Sequence, residues 1–231
     1  MKSKFITAVI LFLSFIACNS VKTDVPIVIE LVDLDYHFST DDLTKFSSEN
    51  QIHSQSIYQW QNHWVIFDKK INAKKIVAKL EEQFPRLKIN VYEKPFYNFN
   101  RQQITKEKPA KEWEHIIMTA NLVPDTTLQN EYMQYHKTQF EKWPEISKGF
   151  CNADFQQLLV YRSGRQLMLV ISIPKGKTLD ELNPKTTENN PRVDEWNKIM
   201  AKYQEGTEDA PKGTTWVVFS PLNPPQGDLK Q

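Results

Sequence analysis

Glycine and cysteine are scarce in this chain. Six glycines among 231 residues leave little material for a glycine-rich phosphate loop, and neither that loop nor a Gly-x-Ser-x-Gly elbow occurs. The two cysteines, Cys18 and Cys151, do not form a metal-binding Cys-x-x-Cys pair. The five histidines, at 37, 53, 63, 115 and 136, show no ligand spacing such as His-x-x-x-His, so no metal or other cofactor is expected. Charge of one sign is missing too. Twenty-nine basic residues against twenty-eight acidic ones give a net charge of +1, and the aromatics are not interleaved with a basic stripe, which argues against a nucleic-acid partner. What the chain does have is 40% hydrophobic and 12% aromatic content, enough for a packed core in one large or two small domains.

The one strongly apolar run lies at the start. Lys2 and Lys4 precede Phe5 to Ile16, a run too short to span a bilayer comfortably and shaped like a signal peptide. It leads into Phe15-Ile16-Ala17-Cys18, which looks like a bacterial lipobox apart from the phenylalanine at its first position. Residues 1–18 are therefore expected to be a lipoprotein signal peptide. Cys18 would be lipidated and anchor the protein in the bacterial cell envelope, at the periplasm or outer membrane. The alternative is an ordinary signal peptide cleaved elsewhere. With Cys18 lipidated, Cys151 has no intrachain disulfide partner. No His–Asn or His–Asp pattern accompanies it, so it reads as a small, partly buried residue.

Beyond a short tether at 19–24, hydrophobic patterning gives an α+β order repeated twice. Strands are expected at Pro26 to Val32, Ile52 to Trp60, His63 to Phe67 and Leu87 to Tyr92. Helices are expected at Thr40 to Ser48, capped by Ser39 or Thr40, and at Asn72 to Phe84. After a polar linker at 101–112, strands are expected at His115 to Val123, Phe155 to Tyr161, Gln166 to Ile173 and Thr215 to Phe219. A long helix from Asp125 to Gly149, broken near Pro144, and another from Arg192 to Tyr203 complete the second set. Lys175 to Asn190 reads as a polar loop with one helical turn near Leu179 to Leu182. Both sets are βαββαβ, so the expectation is two tandem ferredoxin-like domains, at 19–100 and 113–223, with a flexible tail at 224–231.

Glu131 to Glu145 carries the chemistry: Glu-Tyr-Met-Gln-Tyr-His-Lys-Thr-Gln-Phe-Glu-Lys-Trp-Pro-Glu. Tyr132 and His136 stand four apart on one helix and project from neighbouring turns. Histidine titrates near neutral pH and can shuttle a proton. Trp143 and Trp196 offer flat apolar faces for a sugar ring. Spacing alone makes His136 the edge of an apolar stripe that includes Leu128, Tyr132, Tyr135, Gln139, Trp143, Ile146 and Phe150, and such a histidine is ordinarily structural. By the same reasoning Tyr132 is a core aromatic with a polar tip, Trp60 and Trp64 are core, Asp194 and Glu195 are first-turn helix acids, and Glu145 caps a turn after Pro144.

The stretch nevertheless resembles the L-rhamnose mutarotase family, in which Tyr-x-x-x-His is followed shortly by Trp-Pro-Glu. The resemblance covers roughly Ile116 to Leu222, with further landmarks at Leu158 to Tyr161, at Trp196 within Glu-Trp-Asn-Lys-Ile-Met, and at Trp216 to Phe219. It implies an isomerase that interconverts the anomers of L-rhamnose or a related monosaccharide without a cofactor. His136 would be the proton donor, and Tyr132, Trp196 and Trp143 would bind the sugar. Family members are single units that pair through facing sheets, so two units on one chain imply an intrachain dimeric α+β barrel, a monomer with an internal pseudo-dimer. Three departures point to a remodelled pocket: a longer His136–Trp143 spacing, Leu158 where a tyrosine is expected, and Asn197 where a second tryptophan is expected. Two other readings stay open. One is a sugar- or small-ligand-binding lipoprotein without turnover; the other is a different enzyme on the same barrel, which haem or metal in the purified protein would favour.

Overall fold

Nearly every strand of the core is apolar on both faces, and the architecture explains why. In the computed structural model, which describes residues 25–223, β1 (Ile27–Val32), β2 (Ile57–Trp60), β3 (His63–Asp68), β4 (Lys88–Tyr92), β5 (Tyr97–Asn100), β6 (Trp113–Leu122), β7 (Gln157–Ser163), β8 (Gln166–Pro174), β9 (Gln204–Glu205) and β10 (Val217–Pro221) form one ten-stranded sheet. Every pairing is antiparallel, in the order β4-β1-β3-β2-β10-β6-β8-β7-β5, with β9 on β6. The first four strands thus lie in the order fourth, first, third, second. The set β6, β7, β8 and β10 repeats that order.

The sheet curls, and residues alternate between its two sides with the period of two that a strand imposes. Val28, Val65 and Phe67 face inward and meet Leu159, Tyr161, Met168 and Val170 from the other half of the sheet. Their neighbours Ile29, Leu31, Trp64 and Ile66 face outward under α1 (Thr40–Glu49) and α2 (Ala73–Gln83). Leu158, Val160, Leu167 and Ile171 face outward under α4 (Thr126–Lys137), α6 (Pro144–Asn152) and α8 (Pro191–Met200). Burial on both faces leaves no polar side for the strands to show. The two ends of the inner cluster are joined by a hydrogen bond from the Tyr161 hydroxyl to the Pro26 carbonyl, 2.7 Å, and by the edge-to-face pair Tyr92–Tyr161.

One carboxylate sits inside this apolar interior. Glu30 is fully buried, and burial by itself would raise its pKa. Hydrogen bonds to His63, Asn90 and Gln166 outweigh that and hold it below the usual carboxylate value. Tyr92 also donates to it, at 3.1 Å, and the other ring nitrogen of His63 lies 3.3 Å from Asp209.

Several boundaries differ from those expected, each for a local reason. Ser39 and Asp42 form a reciprocal capping box on α1. The expected strand from Ile52 starts only at Ile57, because Ser54–Ser56 make a 3-10 turn. The expected long helix after Asp125 is interrupted twice, giving α4, α5 (Gln139–Lys142) and α6. At the first break Thr138 leaves helical geometry, at φ −105° and ψ 6°, with its N–H and its hydroxyl both donating to the Gln134 carbonyl. At the second, Pro144 supplies no N–H and drives Trp143 out of helical geometry, to φ −135° and ψ 52°. Arg101–Ile104, within the expected linker, is a short helix α3. Arg101 is buried there, paired with Glu107 and Asp154 and donating to the Cys151 carbonyl. The last long strand is shifted to Val217–Pro221, and its end pairs with β2, joining the two halves through Ser220↔Gln59 and Pro221↔Tyr58. The helical turn expected near Leu179 is present as α7 (Leu179–Leu182), closed by a Thr178–Glu181 capping box. The expected signal peptide at 1–18 with Cys18, the tether at 19–24 and the tail at 224–231 lie outside the described residues.

Candidate active site

α4 is capped by Asp125, whose carboxylate accepts from the amides of Thr127 and Leu128 and satisfies two otherwise unpaired N–H groups. From there the 3.6-residue period carries Tyr132 and His136 to the buried side of the helix. His136 Nδ1 lies 3.0 Å from the Tyr132 carbonyl oxygen. A carbonyl can only accept, so Nδ1 carries the proton and Nε2 keeps its lone pair. Burial pushes the ring's pKa down to about 4, against a smaller upward pull from that hydrogen bond. His136 is therefore a neutral imidazole at physiological pH, with its basic nitrogen defined by the helix it sits on.

Four aromatic rings surround it. Ring centroids lie at 4.3 Å for Tyr132, 5.2 Å for Tyr97, 5.3 Å for Trp196 and 5.6 Å for Phe96. A cavity of about 570 Å³ opens beside His136, lined also by Phe96, Tyr97, Asn98, Met133 and Phe140. Its size falls within the range of small-molecule pockets, roughly 300–1,000 Å³.

The four residues expected to form the site come together, but not in equivalent roles. His136 reaches the cavity. Tyr132 is 1% exposed, and burial pushes its hydroxyl pKa up while a hydrogen bond from Gln204 opposes the rise. Trp143 packs on Trp196 at 5.6 Å, and the Arg192 guanidinium lies 3.8 Å from its ring centre. Trp196 is buried among His136, Trp143 and Tyr135. In this conformation both tryptophans stack on protein groups. Asn197, the expected position of a second tryptophan, is exposed, and Leu158 is a core residue. Glu145 does not cap α6, which has no side-chain cap; it lies in the first turn, near Arg192. Asp194 is a first-turn acid of α8. Cys151 is half-buried, and burial raises its thiol pKa. Trp64 is core, while Trp60 packs on His63 and Phe219 inside the curl of the sheet.

Sequence patterning missed the strand that completes the site. β5 pairs with β7 through Tyr97↔Val160 and Phe99↔Leu158, which sets Phe96 and Tyr97 against His136. Its alternation Tyr-Asn-Phe-Asn is the one available signal, and four residues are too few to read securely. The Tyr97 hydroxyl donates to Gln139 Oε1 at 2.6 Å, and Gln139 Nε2 donates to the Trp143 carbonyl at 2.6 Å. Gln139 belongs to α5, the turn that lengthens the spacing between His136 and Trp143. Behind Tyr132, Gln204 Nε2 lies 3.2 Å from the hydroxyl, and Trp216 Nε1 lies 3.2 Å from Gln204 Oε1.

The family match falls on this half of the chain. Residues 115–222 match the L-rhamnose mutarotase family. This mutarotase-family region runs from the third residue of β6 to just past β10 and contains Tyr132, His136, Trp143 and Trp196. An L-fucose mutarotase of Xanthomonas campestris is 23% identical over 104 residues, 45% of this chain and 81% of that protein. A UPF0734 protein of Dictyostelium discoideum is 24% identical over 117 residues, 48% of this chain and 87% of that protein. A solved heme-degrading enzyme from Listeria monocytogenes is similar over 84% of this chain and 98% of its own, at 11% identity and a TM-score of 0.39. Among the described residues, no group of three or more His, Cys, Asp or Glu side chains is placed to hold a metal ion.

Proposed function

We propose that this protein is a mutarotase-like isomerase that interconverts the α and β anomers of L-rhamnose or a related monosaccharide by general acid–base catalysis. The observation that carries the reading is His136: a neutral imidazole with an assigned tautomer, beside a sugar-sized cavity, inside the region matched by the mutarotase family. Mutarotation moves a proton from the anomeric hydroxyl and delivers one to the ring oxygen, so that the ring opens and recloses on the other face. His136 Nε2 takes and returns the anomeric proton, an effect in the range of about 10²–10⁴-fold. Tyr132 orients the sugar, and Trp196 and Trp143 form the aromatic backing behind His136.

Two further elements belong to the reading. The repeated strand order supports two ferredoxin-like units that face each other as an intrachain pseudo-dimer. Cys18 is a lipid anchor that holds the protein at the cell envelope.

Anomer exchange tests the reading directly. NMR magnetisation transfer between the anomers of L-rhamnose, then of L-fucose and other sugars, should show acceleration that disappears in His136→Ala while circular dichroism is retained. An unchanged rate in that variant overturns the assignment. A second reading, a sugar-binding protein without turnover, is favoured by the packing of Trp143 and Trp196 on protein groups. Saturable binding without faster exchange would select it.

A further inference from the structure

Of the four residues that the mutarotase resemblance assigns to the site, only His136 lines the cavity. Trp143 and Trp196, the two expected sugar platforms, are 8% and 6% exposed and pack edge-to-face on each other. The cavity takes its aromatic wall from Phe96, Tyr97 and Phe140 instead. Phe96 and Tyr97 precede the family-matched residues 115–222. Phe140 lies on α5, the turn that lengthens the spacing between His136 and Trp143.

Phe140 is the accessible member of that wall. Its ring stacks on Tyr97, with centroids 5.5 Å apart and planes 7° from parallel, and it is nevertheless 41% exposed. A parallel stack covers one face of a ring, and among the described residues Tyr97 is the only aromatic partner of Phe140. The neighbouring Gln139 is fully buried, accepts from the Tyr97 hydroxyl and donates to the Trp143 carbonyl, each at 2.6 Å. Those bonds tie α5 to β5, so the ring is presented in a fixed place. A group held in position before a ligand arrives loses little freedom on binding it.

Polar groups complete the lining. Asn130, Gln134 and Lys137 follow at helical spacing along α4, are exposed and border the same cavity. Their side chains offer donors, and the two amides also offer acceptors. An apolar ring beside a few polar groups is the usual composition of a small-molecule pocket. It suits a pyranose, whose C–H bonds make an apolar face and whose hydroxyls project from the rim.

We propose that Phe140 is the platform on which the apolar face of the monosaccharide ring rests, with Gln134 reaching the hydroxyls, so that α5 and β5 decide which sugar is held beside His136. The proposal takes its ligand class from the mutarotase reading above, but it concerns binding and requires no turnover. A platform acts on bound sugar throughout the reaction, so its loss raises half-saturation and leaves the maximal rate in place.

Phe140→Ala should therefore raise half-saturation for L-rhamnose or L-fucose about tenfold, while the maximal rate of anomer exchange changes by less than about twofold. Phe140→Tyr keeps the ring and should restore the wild-type value. Leu34→Ala, at a 67% exposed apolar residue outside the cavity, should leave both constants unchanged. In parallel, the Phe140 ring signal of wild-type protein carrying carbon-13-labelled phenylalanine, assigned by its loss in Phe140→Tyr, should shift saturably as either sugar is added. Gln134→Ala should weaken that response. A saturable shift without faster anomer exchange supports the platform and defeats the mutarotase reading. Faster exchange with an unmoved Phe140 signal and wild-type half-saturation in Phe140→Ala does the reverse. Neither exchange nor a shift with either sugar overturns both. Should Phe140→Ala fail to fold, the wild-type ring signal decides alone.

Discussion

Protonating His136 must oppose folding. Its pKa falls from 6.5 in a solvated reference to about 4 in the folded protein, chiefly because burial penalises the charged ring. Between those values the unfolded chain binds a proton that the folded chain refuses, so stability rises with pH there and is lost as pH falls from 6.5 toward 4. Below about pH 4 both states are protonated and the loss stops growing. At roughly 1.4 kcal/mol for each tenfold change in proton affinity, the full effect is about 3 kcal/mol. His115 is lowered to about 4 as well, by burial first and then by Lys69, and adds a parallel loss. His136→Gln removes the first effect and keeps the second. Urea unfolding at about pH 7 and about pH 4.5 should therefore show the wild-type protein losing about 2 kcal/mol more than the variant. The comparison uses the difference between two pH values, so any constant cost of the substitution cancels, as do the carboxylates common to both proteins. Equal losses in the two proteins would mean that His136 is not held neutral by its aromatic surroundings, and the basic Nε2 on which the proposed chemistry depends would go with it.

Two further outcomes are expected. Glu30→Gln places an amide N–H among the donors of His63, Asn90, Tyr92 and Gln166, and should destabilise the protein by about 3 kcal/mol; thermal unfolding at neutral pH reads this, and an unchanged midpoint would show that the inner carboxylate is dispensable. Mass spectrometry of protein extracted from bacterial membranes should find Cys18 as a lipid-modified N-terminal residue, whereas a first peptide starting elsewhere would rule out the anchor.

Much of the fold was legible because it rests on period. Val28 to Leu31, Trp64 to Phe67, Leu158 to Tyr161 and Leu167 to Ile171 read as strands from their apolar, β-branched and aromatic content, and the structure shows both faces buried. The pair Tyr132 and His136 met as helical spacing requires. What was not legible depends on partners far away in the chain. β5 is four residues long and is held by β7, about sixty residues later. β9 is two residues long and has no periodic signature at all. The break at Thr138 has no proline or glycine to announce it, and the Thr138 N–H and hydroxyl both close onto the Gln134 carbonyl.

These weakly signalled pieces are the ones that give the site its chemical direction. Helical spacing delivers an imidazole and a phenol to the same place, yet it says nothing about which atom donates and which accepts. The Tyr132 carbonyl answers that for His136, and Gln204 with Trp216 answers it for Tyr132. Tyr97 is oriented the same way, since its hydroxyl is bound to Gln139 on the extra turn α5. A chain with the same Tyr-x-x-x-His spacing but without these glutamines would bring the same rings together and leave the two phenol protons unassigned. Which atoms of these rings can donate and which can accept is therefore decided by hydrogen-bond partners on β9 and α5 as much as by the helix that carries Tyr132 and His136.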